Sequence, residues 1–154
     1  MKMYVSRCDV GGALLLMLFL WPGCQAAPGT EVAVFASGKP KSEVRLKRAD
    51  DGRTVRDGWY RSWHENGQVH EEGLYVNGKM HGTWTIWDEH GRKRGQQQYH
   101  EGRRHGRWFA WHADGRLARR WQYREGIMEG VWLTWNEAGT LIEELHYKDG
   151  ILIP

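Results

Sequence analysis

The side chains best suited to chemistry in this sequence follow the tryptophan pair of the stretch GTWTIWDEHG, residues 82–91. A carboxylate beside an imidazole can act as a general acid and base, so Asp88, Glu89 and His90 are the first catalytic candidates. Equivalent stretches of the chain carry other polar residues at these positions: His64-Glu65-Asn66, His112-Ala113-Asp114 and Asn136-Glu137-Ala138. Polar residues that vary this freely before a glycine are typical of turns. We therefore predict that Asp88, Glu89 and His90 fill a turn and that the chain has no catalytic residue.

The histidines, cysteines and serines give no stronger candidate for a metal site or a nucleophile. His81 and His105 lie 24 residues apart, and equivalent positions of neighbouring hairpins are about 10 Å apart in a sheet. Metal ligands lie about 2 Å from the ion, so such a pair cannot share one without side chains from between. No cysteine follows Cys24, and the only serines after it are Ser37, Ser42 and Ser62. We predict no metal ion, no cofactor and no enzymatic activity.

A period of 24 residues reveals the elements that position these side chains. Four units follow one another without insertion, each beginning with a glycine: Gly58 (58–81), Gly82 (82–105), Gly106 (106–129) and Gly130 (130–153). The tenth and twenty-first positions of every unit are also glycine. The third, sixth and eighteenth positions are aromatic, and they are Tyr60, Trp84, Trp108 and Trp132; Trp63, Trp87, Trp111 and Trp135; Tyr75, Tyr99, Tyr123 and Tyr147.

Each unit predicts two strands, at about positions 2–6 and 12–18, separated by turns. Asn66-Gly67, Asn77-Gly78, Asp114-Gly115 and Asp149-Gly150 are signals for short hairpins, whose turns require positive φ. Such a hairpin cannot bury its own face, so successive units must stack. The sequence therefore predicts an all-β fold, an elongated single-layer antiparallel β-meander of 24-residue β-hairpins. Positions three and six point to opposite faces unless a bulge intervenes, so at least one aromatic row should be half exposed.

The first 24 residues predict an export signal. Lys2 and Arg7 precede an apolar run of 12 residues, 10–21, which is too short to span a bilayer as a helix. The segment 20–24, Leu-Trp-Pro-Gly-Cys, resembles a bacterial lipobox, which would make Cys24 the lipidated residue. Cleavage by an ordinary signal peptidase remains the alternative. We expect an exported protein, either lipid-anchored in a bacterial cell envelope or periplasmic or secreted, in which residues 25–57 form a linker and a degenerate capping repeat.

The pattern Gly-x-Trp-x-x-Trp, then Gly, then Tyr-x-x-Gly-x-x-x-Gly resembles the MORN-repeat variant of bacterial proteins, the type found in the YwqK-like antitoxin family. The resemblance covers residues 58–153 well and 34–57 weakly. It implies an elongated, curved, single-layer β-sheet that serves as a protein-binding or membrane-associated scaffold. Some members of the family are named antitoxins or immunity proteins.

Charge is the property that differs most between the units. Their net charges, in chain order, are −1, +2, +2 and −3. A basic region with extra aromatic residues could meet an acidic protein, anionic lipid headgroups or nucleic acid, and export argues against nucleic acid. The residues predicted to form the partner-specific surface are Arg103, Arg104, Arg107, Phe109, Arg119, Arg120 and Trp121.

These observations predict a non-enzymatic, exported repeat scaffold for protein or envelope interaction. One alternative is an immunity protein or antitoxin that neutralises a cognate toxin. A second alternative is a glycan or cell-wall binding module that uses the tryptophan rows.

Overall fold

A computed structural model of the chain describes residues 2–5 and 29–154. Within these ranges every regular element is a β-strand, and there is no helix that could cross a membrane. The predicted lipidation residue Cys24 and most of the predicted export signal lie outside the described residues. The strands are β1 Lys2–Val5, β2 Thr30–Val34, β3 Pro40–Arg48, β4 Thr54–Trp63, β5 Val69–Val76, β6 Lys79–Trp87, β7 Lys93–His100, β8 Arg103–Arg104, β9 Gly106–Trp111, β10 Leu117–Arg124, β11 Ile127–Met128, β12 Gly130–Trp135, β13 Leu141–Lys148 and β14 Ile151–Ile153.

All fourteen strands belong to one sheet, in which each strand pairs antiparallel with its neighbour along the chain. The short strands β8 and β11 pair with β7 and β10, and they lead directly into β9 and β12. The predicted all-β meander of stacked hairpins is therefore confirmed. In the first two units the first strand is longer than predicted: β4 and β6 begin before Gly58 and Gly82, at Thr54 and Lys79.

Two kinds of turn alternate along the meander. The tight turn has two residues with positive φ, as at Asn77 (50°) and Gly78 (80°), which is the backbone of a two-residue hairpin. In the broad turn only the glycine has positive φ, as at Gly67 (90°), and the His64 amide donates to the carbonyl of Gln68 at 2.8 Å. The prediction of a short hairpin with positive φ was therefore correct for Asn77-Gly78 and Asp149-Gly150. Asn66-Gly67 and Asp114-Gly115 also form hairpins, but they are broad turns in which only the glycine has positive φ.

The glycine that begins each repeat marks an irregularity in the pairing between units. In the pairing of β5 with β6 the register shifts next to Gly82, which has a φ of 70°. Such a shift leaves backbone groups without ladder partners. In two units the indole at position three adds a hydrogen bond at this irregularity. Trp108 and Trp132 donate their ring N–H to the carbonyls of Gln98 and Gln122, at 3.0 and 3.2 Å, and the same carbonyls also accept the backbone amides of His105 and Glu129.

The aromatic residues of positions three and eighteen form a continuous ladder on one face of the sheet. Successive rings contact one another with centroid separations of 4.9–6.4 Å, mostly edge-on or tilted. Trp84 is 1% exposed and Trp108 9%, so the rings supply the core of a sheet that has only one layer. In order along the sheet the ladder consists of Tyr60, Tyr75, Trp84, Tyr99, Trp108, Tyr123, Trp132 and Tyr147.

Because side chains alternate between the faces of a strand, the second aromatic row points the other way. We name the two sides the ladder face and the opposite face. Trp63, Trp87, Trp111 and Trp135, at position six, lie on the opposite face and are all half-buried. A bulge between positions five and six shifts the register of each unit, but the extra residue lies on the second strand, as with His70 of β5. It therefore does not bring the two rows to one face.

Candidate interaction surface

Asp88 has a structural role in the broad turn of the second unit. Its carboxylate accepts the backbone amides of His90 and Arg92, both at 3.0 Å, and the Arg92 side chain at 2.9 Å. Burial alone would raise the pKa of Asp88, but the hydrogen bonds from Arg92 outweigh it and lower the pKa. These contacts hold the broad turn of the second unit, and the carboxylate does not face the imidazole of His90 in an acid–base pair.

Ser62 is the one serine of the repeats, and it lies beside a histidine. Its hydroxyl is 3.3 Å from Nδ1 of His70, whose ring packs edge-on against that of His64. Desolvation, followed by the proximity of His64, lowers the pKa of His70. Nucleophilic catalysis needs a hydroxyl that a substrate can reach and a base held by a third group. Ser62 is only 6% exposed, so this contact mainly satisfies a buried hydroxyl.

The residues predicted as one partner surface are divided between the two faces. Arg104, Arg119 and Trp121 lie on the ladder face, because they pair in register with Tyr99, Ala110 and Trp108. The other strand residues lie on the opposite face, and they are Arg107, Phe109 and Arg120. Arg103 pairs with His100, next to the tight turn between β7 and β8, and is exposed, with its guanidinium 3.8 Å from Glu125. The prediction of a single surface was therefore incorrect in its geometry.

The ladder face carries an open groove of about 360 Å³ above the second and third units. Its floor is formed by Gly95 and Ala110, which pair with each other across β7 and β9. Ile86 and the half-buried Trp121 line its sides. The groove exists because two small residues face each other where neighbouring units carry larger side chains such as Glu71 and Ile86.

Cationic side chains border this groove. Arg94 and Arg104 line it, and Arg119 pairs in register with Ala110 of the floor. The guanidinium of Arg104 lies over the rings of Trp108 and Tyr123, at 5.2 and 5.3 Å. A cation held over aromatic rings keeps its charge while its position is fixed.

These arginines differ from most others in lacking an acidic partner. Within the described ranges, no carboxylate forms an ion pair with any arginine of this group, which consists of Arg94, Arg104, Arg107, Arg119 and Arg120. Arg56, Arg61, Arg92 and Arg124, by contrast, each contact a carboxylate within 3.1 Å. The positive charge of the central units is therefore neutralised locally at Arg92 and Arg124 but not at these five arginines.

The opposite face has a smaller depression of about 300 Å³, lined by Arg107, Arg120 and Val131 among others. Beside this region Phe109 stacks on Trp111 at 5.9 Å, and the Lys93 ammonium lies 4.6 Å from the Trp111 ring centre. Trp111 is thus contacted by its neighbours on the sheet. Part of the surface of this half-buried indole is therefore already occupied.

A histidine and glutamate cluster lies where the tight turn of the third unit meets the end of β7. The Nδ1 atoms of His100 and His105 lie 3.0 and 2.9 Å from the same oxygen of Glu125. The hydrogen bond from His100 lowers the pKa of Glu125 most. Desolvation, the next largest cause, opposes it, and the charge of His100 and the contact with His105 lower the pKa further. The distance expected between His81 and His105 led us to predict no metal site. The structure instead places two other potential ligands, His100 and Glu125, beside His105.

Two further histidines have a structural role that the sequence did not indicate. His64 and His112 lie in broad turns, and their Nε2 atoms are each 2.9 Å from a carbonyl of the next unit, that of Trp87 or Trp135. Their spacing of 48 residues was the only available signal.

Comparison with known proteins agrees with this architecture. Residues 56–77 and 128–149 match the family model described as MORN repeat variant. The chain matches no curated protein. The matched stretches each span the strand, broad turn and strand of one hairpin, in the first and fourth units. The MORN repeat is a non-catalytic type that generally mediates protein or membrane interactions, and this chain contains two stretches that match its variant form.

Proposed function

We propose that this chain is an exported, non-enzymatic scaffold that binds an acidic protein partner in the groove of its ladder face. The observation that carries the proposal is the set of arginines beside this groove, Arg94, Arg104 and Arg119, for which the described residues provide no carboxylate. A partner that brings carboxylates would complement this charge.

The groove also offers an anchor for an apolar side chain. Trp121 is half-buried and stands beside a floor of Gly95 and Ala110. Tryptophan and arginine are the residues that most often dominate the binding energy of protein interfaces. We therefore expect the partner segment to combine an apolar or aromatic residue, seated between Ile86 and Trp121, with acidic residues on either side.

Neutralisation of a toxin is a special case of this proposal, in which the acidic partner is the toxin. A glycan or cell-wall ligand is less well supported. The tryptophans at position three are committed to the ladder, and Trp111 of the second row is contacted by Phe109 and Lys93.

The proposal includes export, with Cys24 as the residue that receives a lipid. In a bacterial host, the wild-type chain should therefore fractionate with membranes, and the Cys24→Ser variant should not. Capture of the tagged chain from the same membrane fraction, with crosslinking, would then identify the partner. If wild type and variant fractionate alike, the lipid anchor is wrong.

Two adjacent arginines give a matched test of the groove. Arg119 lies on the ladder face and Arg120 on the opposite face, so Arg119→Glu and Arg120→Glu change net charge equally. We expect Arg119→Glu to weaken binding of the purified partner by tenfold or more, with a reduced salt dependence, and Arg120→Glu to leave it nearly unchanged. Trp121→Ala should cost about 2 kcal/mol, roughly 30-fold in Kd.

The measurement is a titration by calorimetry at two salt concentrations, with circular dichroism as the control for folding. Equal effects of the two charge reversals, or a larger effect of Arg120→Glu, would place the partner on the opposite face and contradict the proposal.

A further inference from the structure

We propose that His100, His105 and Glu125 form a binding site for a divalent transition-metal ion of the zinc type. The three side chains offer two imidazole nitrogens and one carboxylate oxygen, and these atoms all lie within 4.8 Å of one another. Two histidines and one glutamate are a recurrent zinc ligand set, which leaves a fourth position for water.

The distances are close to those that a bound ion would impose. Ligand bonds to zinc are about 2.0–2.2 Å long, so tetrahedral ligands lie roughly 3.3 Å apart. The Nδ1 atoms of His100 and His105 are already 3.0 and 2.9 Å from Oε1 of Glu125. A neutral imidazole needs only to carry its proton on Nε2 for the Nδ1 lone pair to face the ion.

The backbone holds the glutamate where this site requires it. Glu125 is the first residue of a tight turn and has a φ of 49°, a conformation in which asparagine and aspartate are much more common. The corresponding residues of the other units are Asn77, Glu101 and Asp149, and Glu101 has a similar φ of 47°. What distinguishes Glu125 is that its carboxylate reaches two imidazoles, those of His100 and His105.

Neighbouring units show what the same three positions do without metal ligands. One unit further along, Arg124 contacts Glu129 at 3.1 Å and Asp149 at 2.8 Å, so the triad is an ion-pair cluster. One unit earlier the positions hold Val76, His81 and Glu101, and the described contact of Glu101 is with Lys79 at 3.8 Å. The triad at His100, His105 and Glu125 is therefore the one whose three side chains can all donate to a metal.

Access and charge are also compatible with an ion. The three side chains are 39–51% exposed, so a hydrated ion can reach them without opening the fold. The competing cation is Arg103, whose Nη1 lies 3.8 Å from the other carboxylate oxygen, Oε2. Both imidazoles contact the other oxygen, Oε1, so Arg103 does not compete with them for it.

The test is calorimetric titration of the purified full-length chain with Zn²⁺, together with visible absorption of Co²⁺ as a probe of tetrahedral coordination. We expect one site per chain. His100→Ala, His105→Ala and Glu125→Gln should each weaken Zn²⁺ binding at least about tenfold and abolish the Co²⁺ absorption.

Two variants serve as matched controls. His146 forms a similar pair with Glu144, at 2.9 Å, but without a second histidine in contact, so His146→Ala should leave Zn²⁺ affinity unchanged. Arg103→Gln removes the competing cation and should tighten binding by a few-fold. All the replaced side chains are exposed, and thermal unfolding monitored by circular dichroism verifies that each variant folds. Absence of Zn²⁺ binding, or binding that survives in His100→Ala and His105→Ala, would overturn the proposal.

Discussion

At the scale of single residues, the stability of the ladder depends on a glycine that leaves room for a tryptophan ring. The indole of Trp84 lies directly over Gly73, and a Cβ on this glycine would be only 2.2 Å from Cδ2 of the ring. The close approach buries Trp84 almost completely. Its ring N–H has no hydrogen-bond partner among the described residues, in contrast to those of Trp108 and Trp132. The gain in buried apolar area thus outweighs one unmade hydrogen bond, which costs roughly 1–3 kcal/mol.

Gly73→Ala should therefore destabilise the protein by about 1–3 kcal/mol, because the new methyl group must displace the indole. Gly95→Ala is the control. It also lies in a central strand of the ladder face, but its Cβ would meet Ile86 at an ordinary 3.5 Å. We expect that change to stay within about 0.5 kcal/mol. The measurement is thermal unfolding followed by the fluorescence of the buried tryptophans, and equal losses in both variants would contradict this account of the core.

At the scale of single elements, the tight turns differ in how well their first residue suits them. Glu101 has a φ of 47° and Asn77, its counterpart, a φ of 50°. Asparagine tolerates this backbone better than glutamate does. Glu101→Asn should therefore stabilise the protein by about 0.5–1 kcal/mol, and the lost contact with Lys79, 3.8 Å and exposed, should count for little. Glu101→Gln removes the same charge without shortening the side chain, so thermal unfolding should show no gain for it. A gain in both variants would assign the effect to charge instead.

The elements were largely predictable because their signals are local and repeated. Glycines at a fixed spacing located the turns of the four repeats, and the aromatic positions indicated their strands. The type of turn was harder, because Asn66-Gly67 and Asn77-Gly78 carry the same dipeptide. They differ in the hydrogen bonds around them. The Gly78 amide donates to the carbonyl of Arg56 in β4 at 2.7 Å, whereas the Gly67 amide closes its own turn by donating to the carbonyl of His64 at 2.9 Å.

The candidate sites were less predictable because they depend on which strands are neighbours and which way each side chain points. Arg119 and Arg120 are adjacent in sequence and lie on opposite faces. Gly95 and Ala110 form one groove floor although they lie fifteen positions apart in the sequence. The composition of a unit indicates its charge, but only the register of the strands indicates the face that carries it.

At the scale of the whole molecule, the described strands form an open sheet that runs from β1 to β14, with no pairing between these two end strands. The main contacts of each strand are with its neighbours in the sheet, so stability should be a sum of unit and neighbour terms. The tight turns also link neighbouring units, because the amides of Gly102, Gly126 and Gly150 each donate to a carbonyl of the unit before. Burial is unequal along the array. The core rings Trp84 and Trp108 lie in the middle, whereas Ile142 is 60% and Ile151 69% exposed.

Amide hydrogen exchange should therefore be graded along the sheet. We expect β13 and β14 to exchange faster than β6, β7 and β9, because fewer buried side chains hold them. Trp132→Ala should accelerate exchange in β12–β14 further, since Trp132 contacts both Tyr123 and Tyr147, and it should leave β4 and β5 nearly unchanged. Exchange measured by mass spectrometry on peptides from each unit resolves the gradient. One common rate for all strands, raised everywhere by Trp132→Ala, would mean that the array unfolds as a single cooperative unit and would contradict the nearest-neighbour description.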